Sequence, residues 1–148
     1  MIHIRSGTSA VYTLVQYGML LYFFAEYGIL GSSPVSRIVQ AAGGIFAIRA
    51  IMEMRKSRLN IAPDPAPGST LVTSGPYRFI RHPMYTSLIL FIAPLLLEVP
   101  SETNLLLLLV FISNMILKLL YEERLLRAQF ERYGEYMKRS YRLIPWLW

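Results

Sequence analysis

Long apolar segments alternate with short polar stretches along the chain of 148 residues. A helix needs roughly 17 to 25 residues to cross a bilayer, and four segments approach that length: Ala10 to Leu30, Val35 to Met54, Met84 to Val99 and Asn104 to Leu120. The third is the shortest and contains Pro94, which favours a kinked or tilted helix. The pattern predicts an all-α integral membrane protein, with residues 1–148 forming a single domain of about four transmembrane helices.

The pattern changes after the fourth segment. Apolar positions then recur at spacings of four, three and four residues, the period of an amphipathic helix: Leu126, Phe130, Tyr133 and Met137. The sequence therefore predicts a C-terminal amphipathic helix that continues out of the membrane and closes a pocket at its surface.

Composition and charge agree with a membrane setting. Hydrophobic residues make up 54% of the chain, and the net charge is +6. Lys and Arg lie at the N-terminus, between the second and third segments and after the fourth, whereas Gly31–Pro34 and Pro100–Thr103 contain none. This positive-inside pattern predicts that both termini and the polar motifs face the cytosol. Topology and anionic lipids account for the surplus charge, so nucleic acid is not an expected partner.

Ionisable residues inside the apolar segments need either a partner or a function. Glu26 and Arg37 lie near the same predicted end of their helices, which favours a structural ion pair. Arg49 either extends to the interface or holds an anionic group in a site. The chain has no cysteine and two histidines, so no metal site is expected.

Two acidic residues follow the fourth segment. Glu122 lies one turn after Lys118 and on the same stripe as Leu126, which makes it a functional candidate. Glu123 has the favourable spacing to pair with Arg127 in a structural role.

A dense polar cluster precedes the third segment. Pro83 is suited to the first position of a helix, so Arg81 and His82 are expected at a helix N-terminus, where backbone donors converge. The cluster lies directly against a membrane segment, which indicates chemistry at a membrane surface.

These motifs occur in a recognisable order: Ser69-Thr70-Leu71-Val72-Thr73-Ser74-Gly75-Pro76-Tyr77, Arg81-His82-Pro83-Met84-Tyr85, Glu122-Glu123, and then Phe130, Tyr133, Tyr136 and Arg142-Leu143-Ile144-Pro145. The arrangement resembles the isoprenylcysteine carboxyl methyltransferase family, with phospholipid N-methyltransferases as wider relatives, from about Arg49 to the C-terminus. The resemblance implies a membrane enzyme that binds S-adenosylmethionine without a Rossmann domain. The sequence indeed offers no strand followed by a Gly-x-Gly-x-x-Gly turn.

The resemblance also implies roles for single residues. The cofactor would be bound in the cytosolic pocket by Ser69, Thr70, Leu71, Val72, Tyr77, His82, Pro83, Met84, Tyr85 and Glu122. Arg49 and Lys118 would act on the methyl acceptor, with Lys118 standing where the family has an arginine. The implied partners are membrane lipids and a lipidic or prenylated small molecule, with methylation at oxygen, nitrogen or sulfur left open.

Two other functions remain open at this point. Membrane sterol reductases, which bind NADPH, carry a run similar to Arg-His-Pro-x-Tyr. A non-catalytic membrane partner protein could also keep the same fold.

Overall fold

The computed structural model describes residues 4–56 and 70–148, with side chains from residue 7 onward. Five α-helices follow one another, with a short 3₁₀ turn at Gly75–Arg78: α1 Ile4–Tyr27, α2 Pro34–Lys56, α3 Pro83–Leu97, α4 Glu102–Gln129 and α5 Tyr133–Lys138. The described ranges contain no β-sheet, only an isolated bridge between Ile80 and Tyr141. The predicted all-α class is confirmed.

Each of the four apolar segments corresponds to a helix. Within the described residues, α2 and α4 are long and apolar enough to cross a membrane by length and composition. The third segment forms the shorter apolar helix α3, which carries Pro94 in its interior as expected.

The helix after the fourth segment differs from the prediction. α4 continues to Gln129, but at Phe130 the backbone turns to φ −114° and ψ 108°. A separate short helix, α5, begins at Tyr133. The amphipathic stripe is therefore divided between two helices, and α5 can turn back toward the start of α3.

α3 lies at the centre of the bundle. It packs against α1, α2 and α4, and α1 also packs against α4. Fully buried apolar side chains fill the space between these helices: Phe23, Ile92, Phe111, Met115 and Leu119. The close α2–α3 approach depends on Gly43, since a Cβ there would lie 3.0 Å from the Leu90 Cβ. The structure therefore gives Gly43 the packing role that small residues have between membrane helices.

A polar network joins the α1–α2 loop to the end of α3. The Glu98 carboxylate accepts hydrogen bonds from the backbone N–H groups of Ser32 and Ser33, at 2.7 and 2.8 Å, just before α2 begins. The expected pair between Glu26 and Arg37 is wrong for these described residues. Arg37 Nε instead donates to the Gly31 carbonyl at 2.9 Å, and Glu26 is exposed.

Candidate active site

At the opposite end of the bundle, the C-terminal segment lies alongside the chain that enters α3. The backbone N–H groups of Arg81 and His82 donate to the carbonyls of Tyr141 and Arg142, at 2.7 and 3.1 Å. The Thr86 hydroxyl on α3 donates to the Leu143 carbonyl at 2.8 Å. These bonds fix the start of α3, so the side chains of the polar cluster have defined directions.

One buried carboxylate ties this segment to α4. Glu123, 4% exposed at its side chain, accepts from Arg81 Nε at 2.8 Å and from Arg142 Nε at 3.1 Å. Arg81 also donates to the carbonyls of Met137 and Ser140. The expected Glu123–Arg127 pair is wrong, because both carboxylate oxygens already serve the two other arginines.

The neighbouring Glu122 points to a different set of groups. Its Oε1 accepts a hydrogen bond from the Tyr85 hydroxyl at 2.6 Å, and its Oε2 lies 3.8 Å from His82 Nδ1. One turn earlier on α4, Lys118 Nζ donates to Gln16 Oε1 on α1 at 3.0 Å and lies 5.5 Å from the centre of the Tyr85 ring. Tyr85 therefore contacts both the acidic and the basic group.

These side chains line a cavity of about 1010 Å³. Its wall consists of faces of α1 to α4, the loop before α3, and two tyrosines of α5. Most of this wall is apolar, with the charged groups gathered on the α3–α4 side. Sites for small molecules commonly have this composition, an apolar enclosure with a few convergent polar groups.

Three residues that line the cavity each carry a buried polar atom with no hydrogen-bond partner among the described residues: the hydroxyls of Tyr77 and Tyr133 and the Nε2 atom of His82. Nε2 lies 3.6 Å from Glu123 Oε1, beyond the usual range for such a bond. Burial raises the pKa of Tyr77 and of Tyr133 above the ordinary tyrosine value, so both remain neutral O–H donors. Unpaired buried donors and acceptors are costly, which favours a polar ligand here.

Nine of the residues predicted for the site line this cavity: Leu71, Val72, Tyr77, His82, Pro83, Met84, Tyr85, Lys118 and Glu122. Thr70 lies at a second, smaller cavity instead, and Ser69 falls outside the described residues. Arg49 is exposed and does not line the cavity. Its helix presents Ala47, Ile51 and Met54 to the cavity, and a residue two positions away from such a face points elsewhere.

Sequence reasoning missed the contribution of α1. Ser9, Thr13, Gln16 and Tyr17 all line the cavity. The first three are spaced by four and three residues, so they form a polar stripe on one face of an otherwise apolar helix. That spacing was the sequence signal that could have assigned this face of α1 to the site.

The family model for phospholipid methyltransferase matches residues 35–133 of the chain. Comparisons with curated proteins and with solved structures gave no match. The matched range covers more than half of the chain and includes the loop before α3 and the acidic pair of α4. It agrees with the expected resemblance, in which phospholipid methyltransferases are the wider relatives. The chain therefore belongs to the phospholipid methyltransferase family.

Proposed function

We propose that this protein transfers a methyl group from S-adenosylmethionine to a membrane-embedded, lipidic acceptor. The observation that carries the proposal is the single cavity in which His82, Tyr85 and Glu122 meet beside apolar walls from the helices. Membership of the family supports methyl transfer at a membrane and favours it over an NADPH-dependent reductase.

The residues present fit the proposed cofactor. A volume of about 1010 Å³ is at the upper end of the range for small-molecule sites, enough for a nucleoside and part of a second ligand. Glu122 suits an ammonium group or ribose hydroxyls, and the rings of Tyr77 and Tyr85 suit adenine or a sulfonium centre. His82 Nε2 and the Tyr77 hydroxyl are unpaired positions for further hydrogen bonds. When bound, S-adenosylmethionine supplies an electrophilic methyl group on sulfur.

The protein's own contribution is alignment and exclusion of water. Methyl transfer is an in-line displacement, so fixed positions of donor and acceptor account for much of the rate. The backbone bonds from residues 141–143 and the Glu123 ion pairs hold the His82 loop in one place. The cavity wall includes apolar side chains of α1 and α2, and exclusion of water from the closed complex would strengthen the electrostatic contacts inside it.

The acceptor decides whether a base is needed. A carboxylate is already ionised, whereas an ammonium group must lose a proton before it can attack. Glu123 is unsuited to take that proton, because two arginines occupy its oxygens. Glu122 and His82 both line the cavity and are the residues placed to receive it.

The proposed setting is a multi-pass membrane protein. In this arrangement α1 to α4 cross the bilayer, and the cavity end, with the basic residues that follow α2 and α4, faces the cytosol. The soluble cofactor would then arrive from the cytosol and the lipidic acceptor from the membrane.

Methyl transfer can be tested with purified protein in detergent, labelled S-adenosylmethionine and a total lipid extract. We expect label to enter an extractable lipid, and the Glu122→Gln variant to lose most of this activity. The matched control is Glu102→Gln, which changes an exposed glutamate at the other end of α4. Absence of labelled lipid with the wild-type protein would contradict the proposed function.

A further inference from the structure

Helix α1 contributes to the cavity but lies outside the range that matches the family. The match begins at residue 35, whereas α1 ends at Tyr27. Its polar stripe, defined as Ser9, Thr13 and Gln16, faces the cavity. Ser9 is 3% and Gln16 6% exposed, so both side chains point into the protein. Polar groups at such positions in an apolar helix need a partner or a ligand.

The contact between Gln16 and Lys118 fixes the direction of the amide. An ammonium group can only donate hydrogen bonds, so the atom of Gln16 that meets it at 3.0 Å is the carbonyl oxygen. The amide nitrogen, with two further N–H donors, then points away from the lysine. Lys118 itself has three donors, of which Gln16 accepts one. The pair therefore leaves more donors than acceptors on the cavity wall.

The acidic group of the cavity makes its hydrogen bond to a different residue. Glu122 accepts the Tyr85 hydroxyl at 2.6 Å, whereas Lys118 Nζ lies 5.5 Å from the centre of the Tyr85 ring. Along α4 the two residues are four apart, about 6 Å of helix rise. The cavity consequently has an acidic end at Glu122 and a donor-rich end at Lys118.

We infer that Gln16, Lys118 and Thr13 form a seat for an anionic oxygen group of the methyl acceptor, and that Gln16 helps to select acceptors that carry one. The inference rests on the proposed function. Phosphate and carboxylate share the required chemistry, since both present several oxygens to N–H and O–H donors. The seat lies one turn from Glu122, so the anionic group would be held beside the position proposed for the methyl donor.

The test replaces Gln16 by two residues of similar size. Gln16→Glu keeps an acceptor for Lys118 but adds a negative charge and removes the N–H donors, whereas Gln16→Met removes both functions. Thr8→Glu is the matched control, because Thr8 is exposed on α1 and does not line the cavity. Initial rates would be measured with phosphatidylethanolamine, with S-farnesylcysteine and with dodecylamine, which carries no anionic group.

We expect both Gln16 variants to raise the KM for the anionic acceptors about ten-fold or more, without a matching change for dodecylamine or in affinity for S-adenosylhomocysteine. A rise in KM for phosphatidylethanolamine alone would identify phosphate as the anion, and a rise in KM for S-farnesylcysteine alone would identify carboxylate. Calorimetric titration of dihexanoylphosphatidylethanolamine in the presence of S-adenosylhomocysteine gives a second readout that needs no turnover.

A purely structural role for Gln16 predicts the opposite. In that case Gln16→Glu would satisfy Lys118 with an ion pair and keep the wild-type KM for both anionic acceptors, which would overturn the inference. Failure of the proposed function is distinguishable, because the wild-type protein would then neither bind S-adenosylhomocysteine nor methylate any of the three acceptors.

Discussion

Replacing Glu123 by glutamine tests whether one buried carboxylate holds the cavity end together. Glutamine can accept from one arginine through its oxygen, but its amide N–H₂ would then face the second guanidinium. Arg81 is 7% exposed at its side chain, so water cannot compensate for the lost partner. Breaking a buried pair in this way costs about 3–5 kcal/mol. For a domain of this size, such a loss corresponds to a fall in Tm of about 6–20 °C.

The partners of Glu123 supply the comparison. Arg142 is 24% exposed, so Arg142→Gln removes a partly solvated pair and should cost about 1 kcal/mol or less. Glu131→Gln, at an exposed position, should leave Tm unchanged. Thermal unfolding of the three variants in the same detergent ranks their losses in Tm directly. A fall of less than about 2 °C for Glu123→Gln, or equal falls for Glu123→Gln and Arg142→Gln, would refute this reasoning.

Two further predictions concern the bundle. Gly43→Val should destabilise the protein by about 1–3 kcal/mol through overpacking, whereas Gly44→Val should not, because nothing lies within 4 Å of a Cβ at Gly44; equal melting temperatures would contradict the α2–α3 contact. Hydrogen bonds from the Ser36 hydroxyl and the Ser33 and Ser32 backbone lower the pKa of Glu98. Its contribution to stability is therefore complete above the unfolded pKa of about 4.3 and is lost as pH falls below it. The Tm of the wild type should thus fall more between about pH 5 and pH 3 than that of Glu98→Gln; parallel curves would exclude this role.

The fold was largely predictable from the sequence, because the positions and lengths of the four apolar segments determine where the first four helices lie along the chain. The exception is the end of α4. The sequence predicts that α4 continues as one amphipathic helix, whereas the backbone turns at Phe130 and a separate helix, α5, begins at Tyr133. Glu122 and Glu123 lie on α4, as the sequence predicts. Their partners, Tyr85, Arg81 and Arg142, lie far away along the chain, so periodicity could not show that these charges are buried and paired.

The site was predictable only in part. The order of its motifs points to the loop before α3 and to Glu122, and the cavity brings them together. Whether Arg49 faces the cavity depends on how α2 is rotated about its axis. Arg49 is two positions from the nearest residues of α2 that line the cavity, so it lies on a different face of the helix. Gln16 pairs with Lys118 across 102 residues, a contact that a single amide in an apolar segment does not reveal.

The central claim is that the cavity lined by His82 and Glu122 binds the methyl donor. Calorimetric titration of purified protein with S-adenosylhomocysteine tests it most directly, with NADPH as the competing ligand. We predict saturable binding of S-adenosylhomocysteine by the wild type and by Glu102→Gln. The affinity of Glu122→Gln and of His82→Ala should be weaker by about ten-fold or more, and NADPH should not bind. Equal affinity in all four proteins, or no binding by the wild type, would contradict the account.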